Sequence, residues 1–297
     1  MNVLIVKLNA VGDVVRTTTL VNVLGRSVTW ITEDAGAELL RPLDHIRCLT
    51  WSERDQALDR EYDLLISLED DLPVARFTKE VSSRRVFGAC LDGDTITYSD
   101  DARAWFDLSL ISVYGRQRAD ALKLLNRRSY QELVFEGLGF PFRGEPYLLP
   151  RPASTPLAGD VAIAPVAGPV WPMKGWAYYD QLTAELERAG LTVNVLPRRV
   201  TLLEHLGDVA NHRCLVSGDS LPMHLALGTG TPCVTLFNCT SPWEIHDYGV
   251  QTKIVSPLLE RFFYKRGLDE AATTAIRLED VCDAVMKRLD ASAAAAK

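Results

Sequence analysis

The sequence predicts an α/β protein made of two domains, each with a parallel β-sheet covered by helices. Three observations predict this class. Short apolar runs alternate with amphipathic segments in both halves of the chain. A stretch rich in Pro and Gly, residues 137–169, interrupts this alternation near the middle. The 297 residues suffice for two domains of ordinary size, which we predict at 1–150 and 151–297.

The first half of the chain is predicted to contain strands and helices in alternation. Apolar runs predict strands at Val3–Leu8, Val28–Thr32, Ile46–Trp51 and Leu64–Leu68. Amphipathic segments between them predict helices at Asp13–Leu24, Ala35–Leu40 and Leu72–Val81. The turn signal Asp92-Gly93-Asp94 predicts a strand pair over 86–98, and helices are expected near 101–113 and 116–136.

The same alternation restarts after the Pro- and Gly-rich stretch. Strands are expected at Val161–Pro165, Leu191–Leu196, Arg213–Val216 and Cys233–Phe237. Helices are expected at Trp176–Ala189, Thr201–Ala210, around His224–Leu227 and near 278–296. Because ligands of parallel sheets bind beyond the carboxyl ends of the strands, the loops that follow each strand are the candidate site.

Composition and charge exclude several classes of protein. The net charge of −7 gives no general attraction to nucleic acid. No run of 18 apolar residues is present, so we expect no transmembrane helix, and Lys7 interrupts the N-terminal apolar run, so we expect no signal peptide. The six cysteines lack the paired spacing of a metal site, which indicates free thiols in the reducing cytoplasm.

The loop after the first predicted strand carries a carboxylate, in the stretch LNAVGDVV. Asp13 is expected at or near the start of a helix, where it could cap the helix or carry chemistry. The residues alone leave both interpretations open. The loop lacks the spaced glycines of the dinucleotide fingerprint, so an NAD site is not expected.

Two further strand exits in the second half are polar. In WPMKGW, Lys174 is predicted at a strand-to-helix turn, where a lysine can meet a phosphate; a surface lysine is the alternative. In the stretch of residues 215–249, Asp219 and Ser220 are predicted at a helix N-terminus that offers free N–H groups to an anion. His224 lies in that helix, and Thr240 follows the next strand.

These segments together resemble the bacterial glycosyltransferase family 9, which contains the ADP-heptose:lipopolysaccharide heptosyltransferases. VLIVKLNAVGDVVRTTTL is similar to the family's N-terminal pattern, WPMKGW to its WPxKxW-like turn, and DSLPMHLALGTGTPCVTLFNCTSPW to its long C-terminal box. The resemblance implies a GT-B fold, in which two Rossmann-like domains face a central cleft. It also implies an inverting, metal-independent transfer of a sugar, with heptose from ADP-heptose as the expected donor.

The resemblance assigns roles to residues of this chain. Asp13 becomes the candidate general base, which takes the proton of the acceptor hydroxyl. The second domain would bind the nucleotide sugar through Lys174, Asp219, Ser220, Leu221, His224 and Thr240. The first would bind a surface-glycan or lipopolysaccharide-type acceptor, with Arg16 and Thr17 as candidates. No cofactor and no nucleic-acid partner are expected, the latter because of the net charge. The enzyme is expected in the cytoplasm, and a lipid-linked acceptor would bring a peripheral contact with the inner membrane.

Some residues depart from the family's pattern. Leu221 stands where the box commonly has Gly, and Asn238-Cys239 replaces Gly-Pro, so the donor could differ from ADP-heptose. The acidic runs Glu69-Asp70-Asp71 and Asp92-Gly93-Asp94 are formal candidates for a metal dyad, but turn and surface roles are expected for them.

Two other functions stay open on the sequence. A sugar-nucleotide epimerase also uses paired Rossmann-like domains, but it would need more acids and histidines at strand exits than are placed here. A non-catalytic nucleotide-sugar-binding relative would be indicated by loss of the base, and Asp13 is present.

Overall fold

The computed structural model describes residues 1–295, and the chain separates between Pro150 and Arg151 into two compact units. We call the N-terminal one unit 1 and the C-terminal one unit 2, and each is described by itself. Each unit contains its own sheet and its own buried core, as two similar α/β sequence halves predict.

Unit 1 contains six strands and seven α-helices among its described residues. The strands are β1 Val3–Val6, β2 Val28–Thr32, β3 Ile46–Thr50, β4 Leu64–Ser67, β5 Val86–Asp92 and β6 Thr95–Tyr98. The helices are α1 Val11–Thr17, α2 Val21–Leu24, α3 Asp34–Leu40, α4 Leu72–Glu80, α5 Arg103–Phe106, α6 Arg116–Leu125 and α7 Tyr130–Leu138. Short 3₁₀ helices cover Thr18–Leu20, Trp51–Ala57 and Asp100–Ala102.

The sheet of unit 1 has the order β3-β2-β1-β4-β5-β6, and only the β5–β6 pair is antiparallel. Val3 of β1 pairs with Val28 of β2 on one side and with Leu64 of β4 on the other. The chain therefore reverses its direction of winding between β1 and β4. Such a switch point is where open parallel sheets bind ligands, and the loops after β1 and β4 lie there.

The central strand β1 is buried on both faces. Val3 and Ile5 pack into one apolar cluster, whereas Leu4 and Val6 pack into another, because successive side chains of a strand point to opposite faces. A strand covered on both sides needs an uninterrupted apolar run, which is what the sequence VLIV supplies.

Unit 2 contains five strands and six α-helices among its described residues. The strands are β7 Gly159–Ala164, β8 Val193–Val195, β9 His212–Gly218, β10 Cys233–Phe237 and β11 Gln251–Val255. The helices are α8 Tyr179–Arg188, α9 Leu202–Ala210, α10 Leu221–Thr229, α11 Leu259–Phe262, α12 Glu270–Thr274 and α13 Leu278–Ala295. A 3₁₀ turn covers Pro172–Lys174.

The sheet of unit 2 is wholly parallel, with the order β11-β10-β9-β7-β8. Here the switch point falls between β7 and β9, so the loops that follow these two strands emerge side by side. These loops carry Lys174 and Asp219. The strand order, rather than proximity in sequence, brings them together.

Several predicted elements differ from the observed ones. The helix predicted at 116–136 is two helices, because Ser129 caps α7 in a reciprocal capping box with Glu132 and so starts a new helix. The helix predicted at 101–113 is only a 3₁₀ turn followed by the single turn α5. Strand β11 was not predicted, and α8 begins at Tyr179, three residues later than expected. Residue 296, the end of the last predicted helix, lies outside the described residues.

Candidate functional site

Asp13 lies in the first turn of α1 and not at its cap. The capping residue is Ala10, whose backbone is left-handed with φ 56° and ψ 82°. Its carbonyl accepts hydrogen bonds from the backbone N–H groups of Asp13 at 2.6 Å and of Val14 at 3.1 Å. An alanine holds the capping position, so the interpretation of Asp13 as the N-cap is wrong. The Asp13 side chain is 35% exposed, which leaves its carboxylate accessible to a substrate.

Arg16 faces Asp13 one turn along α1. Its guanidinium lies 3.1 Å from the Asp13 carboxylate and 4.2 Å from the ring centroid of Tyr130. Trp105 lies on the same guanidinium at 5.3 Å. Two aromatic rings thus hold a largely buried cation in place beside the carboxylate, a geometry that suits the planar guanidinium.

Thr17 is fully buried, so the structure does not support the expectation that it contacts an acceptor. Its hydroxyl donates to the Asp13 carbonyl at 2.6 Å and lies 2.8 Å from the Tyr130 hydroxyl. Because the one proton of Thr17 is used on the carbonyl, Tyr130 is the donor in the second bond. Burial raises the pKa of Tyr130 to about 12, although Arg16 and Thr17 lower it, so the phenol keeps its proton. Thr17 therefore positions Asp13 and Tyr130.

Lys174 and Asp219 meet at the switch point of unit 2. The Lys174 ammonium lies 3.0 Å from the Asp219 carboxylate and donates to the Asp219 backbone carbonyl at 2.7 Å. The two side chains are 21% and 14% exposed. The contact is a partly buried ion pair, supported by a backbone hydrogen bond, with one face of the lysine still open to solvent.

The Asp219 carboxyl is strongly acidic. Burial raises its pKa, but the nearby charges of Lys174 and His224 and the hydroxyl of Thr240 outweigh burial and hold the pKa at about 2. His224 and Thr240 are themselves buried. The structure thus brings together four of the six donor-site candidates around one carboxylate.

Ser220 and Leu221 form the start of α10. Ser220 is the N-cap residue by backbone geometry, but its hydroxyl donates to the Gly218 carbonyl at 3.3 Å instead of accepting from the helix. Leu221 is the first helical residue and Pro222 the second. Proline has no N–H, so this helix offers one fewer free donor to an anion than helix N-termini usually do, a feature the sequence interpretation missed.

Gly218, which the sequence interpretation did not single out, sets the approach of the two strand-end loops in unit 2. A methyl carbon at residue 218 would lie 2.6 Å from the Lys174 carbonyl oxygen, so only glycine fits.

Asn238 stands where the family's box has Gly. Its side-chain amide donates to the Gly175 carbonyl at 2.7 Å, next to Lys174. The Cys239 carbonyl accepts from the Tyr264 N–H at 2.8 Å. The side chain of Asn238 therefore adds a bond to the Lys174 turn that glycine could not make, whereas the Cys239 bond is a backbone contact.

The loop that follows β10 is braced by Lys253 of β11. Its ammonium donates to the carbonyls of Pro242, at 2.7 Å, and Ile245. Burial lowers the pKa of Lys253, although Asp247 and Asp219 raise it. This lysine holds two backbone carbonyls of the loop after β10, a contact that could not be predicted because β11 itself was not predicted.

Three exposed arginines of unit 1 pair with acids of the same unit. Arg84 contacts Glu61 and Asp63, and Arg85 contacts Asp101 at 2.7 Å. Arg128 pairs with Glu136. These contacts are those of solvated protein surface.

Two features are absent from residues 1–295, a cluster of metal-binding side chains and a membrane-spanning helix. No group of three or more His, Cys, Asp or Glu side chains in this range could hold a metal ion. Within the same range, no helix has both the length and the apolar character needed to cross a membrane.

Comparison with known families identifies the region that carries the lysine–aspartate pair. Residues 170–262 match the model of glycosyltransferase family 9 (heptosyltransferase). The chain therefore contains a family 9 glycosyltransferase region. This region includes Lys174, Asp219, Ser220, Leu221, His224 and Thr240. The resemblance expected from the sequence is confirmed, and with it the predicted enzyme class, a glycosyltransferase.

Solved structures of this family resemble the whole chain. E. coli heptosyltransferase WaaC with ADP aligns with a TM-score of 0.64 at 16% identity, covering 97% of this chain and 100% of that one. A family 9 glycosyltransferase from Veillonella parvula aligns with a TM-score of 0.65 at 13% identity, covering 97% of each chain. E. coli ADP-heptose lipopolysaccharide heptosyltransferase II aligns with a TM-score of 0.60 at 15% identity, covering 97% of this chain and 98% of that one. The predicted fold class, two α/β domains with parallel sheets, is confirmed.

A comparison with curated proteins finds no match. Asp13, Arg16 and Thr17 lie outside the residues that the family 9 model matches. Their roles stand on the geometry of unit 1 and on the N-terminal pattern.

Proposed function

We propose that the protein is an inverting, metal-independent glycosyltransferase that moves a sugar from a nucleotide diphosphate to a hydroxyl group. The proposed donor is ADP-heptose, and the proposed acceptor is a surface glycan or lipopolysaccharide. Unit 2 binds the donor and unit 1 binds the acceptor. The observation that carries the proposal is the Lys174–Asp219 pair at the switch point of unit 2, inside the segment that matches family 9.

The donor assignment rests on two supports. Solved structures of E. coli WaaC contain ADP or an ADP-heptose analogue. In this chain, a lysine and the first turn of α10 lie at the edge where a diphosphate would bind. Both features favour an anionic, phosphate-bearing ligand.

In the proposed reaction, an acceptor oxygen attacks the anomeric carbon of the donor sugar as the bond from that carbon to the diphosphate breaks. Asp13 accepts the proton of the attacking hydroxyl, a role that needs an accessible carboxylate within hydrogen-bond reach. Attack opposite to the leaving group inverts the configuration of the anomeric carbon. Arg16, which packs against the Tyr130 ring, keeps the Asp13 carboxylate in position.

The departing nucleoside diphosphate gains negative charge as it leaves. Lys174 stabilises that charge because its ammonium is already oriented by Asp219 and needs no rearrangement. The N–H group of Leu221 in the first turn of α10 adds a donor. Ser220 contributes through the backbone, because its hydroxyl is bonded to Gly218. His224 and Thr240 maintain the charge of Asp219.

Nucleotide titration tests the donor assignment. We expect ADP, but not UDP, GDP or CDP, to raise the melting temperature, since a ligand at a hundred times its Kd stabilises by about 2.7 kcal/mol. Incubation of ADP-heptose with lipopolysaccharide from a heptose-deficient strain should then release ADP and yield a product of inverted anomeric configuration, with EDTA present. Selective stabilisation by UDP or GDP would reject ADP-heptose, and release of an epimerised nucleotide sugar would reject transfer.

A peripheral membrane contact is part of the proposal, and we place it on residues 103–128 of unit 1. This segment holds six basic and two acidic residues, a net charge of +4 in a chain whose net charge is −7. Leu110, Val113 and Leu125 are exposed within it. Apolar side chains among basic ones suit an anionic bilayer surface.

Vesicle sedimentation tests this contact. We expect the protein to sediment with vesicles that contain phosphatidylglycerol and to stay in solution with phosphatidylcholine alone. Leu125→Ser should weaken sedimentation, whereas Val200→Ser, at a still more exposed position of unit 2, should not. Equal sedimentation of both variants would exclude this segment as the contact.

A further inference from the structure

Three donors converge on one oxygen of Glu69, directly after β4. Glu69 Oε1 accepts from the Lys7 ammonium at 2.5 Å, from the Leu8 backbone N–H at 2.7 Å and from the Asn9 backbone N–H at 3.1 Å. The side chains of Lys7 and Glu69 are 10% and 6% exposed. The turn or surface role that the sequence predicted for Glu69 is therefore wrong.

A buried carboxylate is costly unless its oxygens are well paired. Here the partners are a lysine from the end of β1 and the two backbone amides that follow it. Glu69 lies just after β4, which pairs with β1 in parallel, so the contact spans the switch point of the sheet. The carboxylate that follows β4 thus holds the backbone that follows β1.

The backbone that Glu69 holds belongs to the loop that leads to Asp13. From the opposite side, two side chains of β2 bind carbonyls of the same loop. The Trp30 indole donates to the Lys7 carbonyl at 3.3 Å, and the Thr32 hydroxyl donates to the Leu8 carbonyl at 3.3 Å. The N–H groups of Leu8 and Asn9 are therefore held from one side of the chain, and the carbonyls of Lys7 and Leu8 from the other.

The next residue, Ala10, has the left-handed backbone that starts α1 and accepts the N–H of Asp13. A left-handed alanine persists only where its surroundings over-determine it. The fixed loop before it supplies that restraint. A displacement at Leu8 or Asn9 would thus be passed through Ala10 to the carboxylate of Asp13.

We infer that Glu69, seated by Lys7, is the positioning residue for the Asp13 base. The inference rests on the proposed function. Glu69 touches no reacting atom; it sets where the Asp13 carboxylate stands relative to the acceptor hydroxyl. Misplacement of a catalytic group by about 1 Å can lower a rate on the order of a hundredfold.

The test compares Glu69→Gln with the matched control Asp70→Asn, a neighbouring exposed carboxylate. Assays use ADP-heptose and heptose-deficient lipopolysaccharide. We expect Glu69→Gln to lower kcat roughly ten- to a hundredfold while the KM for ADP-heptose and the Kd for ADP change less than about twofold. Asp70→Asn should match the wild type. The double variant Lys7→Met with Glu69→Gln, which removes the unpaired buried ammonium, should recover part of kcat.

Hydrogen exchange provides a readout that does not depend on activity. In Glu69→Gln, the amides of Leu8 and Asn9 should exchange faster, whereas peptides from β2 and β5 should keep their protection. The inference would be overturned by an unchanged kcat or by a KM that worsens as much as kcat does. Unchanged protection of the Leu8 and Asn9 amides would also overturn it. If the wild type transfers no sugar while Glu69→Gln still loosens residues 8–13, the proposed function fails and the anchoring of the loop stands.

Discussion

The ammonium group of Lys174 lies 3.0 Å from the Asp219 carboxylate, so its charge is already matched inside the protein. Unit 1 has a comparable pair across its own switch point, with 2.5 Å between Lys7 and Glu69. In both units a lysine follows the first strand of the sheet and an acid follows the neighbouring strand. The two pairs differ in exposure, since Lys174 retains an open face and Lys7 is nearly buried. This difference is what we expect if Lys174 binds a ligand and Lys7 only stabilises the fold.

Lys174→Met should weaken both donor binding and folding. The change leaves the buried Asp219 carboxylate without its main cation, which costs roughly 1–3 kcal/mol of unfolding free energy. Stabilisation by ADP should disappear in thermal-shift titrations. The exposed Lys265→Met is the matched control and should behave as the wild type. The double variant Lys174→Met with Asp219→Asn should recover stability but not ADP binding; recovery of both would deny Lys174 a role in binding.

Asp219 should make the stability of unit 2 depend on pH in the acid range. Its pKa in the folded protein is about 2, against an ordinary value of 3.8. Because the folded state binds this proton more weakly than the unfolded state, the contribution is complete above about pH 4 and is lost as the pH falls towards 2. We expect this contribution to the unfolding free energy to be about 2 kcal/mol. Urea unfolding between pH 2 and 6 measures it. Asp219→Asn should flatten the profile in this range, and parallel profiles would contradict the assignment.

Asp13→Asn should abolish transfer and leave nucleotide binding intact. An amide cannot accept the acceptor's proton, and general-base catalysis contributes about a hundred- to ten-thousandfold. The drop should appear in kcat, with the Kd for ADP unchanged, because Asp13 lies in unit 1. Asp94→Asn, in the exposed turn between β5 and β6, is the control. Turnover close to that of the wild type would remove Asp13 from the mechanism.

Thr17→Val distinguishes positioning from acceptor binding. Valine keeps the shape but removes the hydroxyl that joins the Asp13 carbonyl to Tyr130. We expect a loss of about 1–2 kcal/mol in unfolding free energy and a lower kcat. The KM for the lipopolysaccharide acceptor should stay the same. A raised acceptor KM with unchanged kcat would instead support direct contact between Thr17 and the acceptor.

Gly218→Ala should disturb the donor site without removing any polar group. The new methyl carbon would lie 2.6 Å from the Lys174 carbonyl oxygen, so the Lys174 turn must shift. Overpacking of this kind costs about 1–3 kcal/mol. We expect a weaker Kd for ADP by calorimetry. Gly168→Ala is the control, since a methyl group there meets nothing within 4 Å, and equal affinities of the two variants would contradict the steric argument.

The strands were predictable where burial is complete. The VLIV run of β1 and the CVTLF run of β10 are apolar because both faces are covered. Strand β11, with the sequence QTKIV, carries polar residues at a sheet edge and gave no such signal. The break between α6 and α7 depends on side-chain capping by Ser129, which a periodicity argument does not detect.

The site was predictable only residue by residue. Lys174 and Asp219 each stand at a strand exit, which the sequence indicates, but their contact depends on β7 pairing with β9. Tyr130 lay inside a predicted helix without any distinguishing feature, and its contact with Arg16 exists only in the folded unit. Glu69 was masked by two neighbouring acids, because a buried and an exposed carboxylate look alike in sequence.

The bond between Thr17 and Tyr130 joins residues 113 positions apart. Synthesis proceeds from the N-terminus, so Asp13 leaves the ribosome long before helix α7, which carries Tyr130. Until residue 130 has emerged, the N-terminal segment lacks both the Tyr130 ring against which Arg16 packs and the hydroxyl that bonds to Thr17. A nascent or truncated chain that ends before α7 would carry the complete N-terminal pattern and yet lack an assembled base.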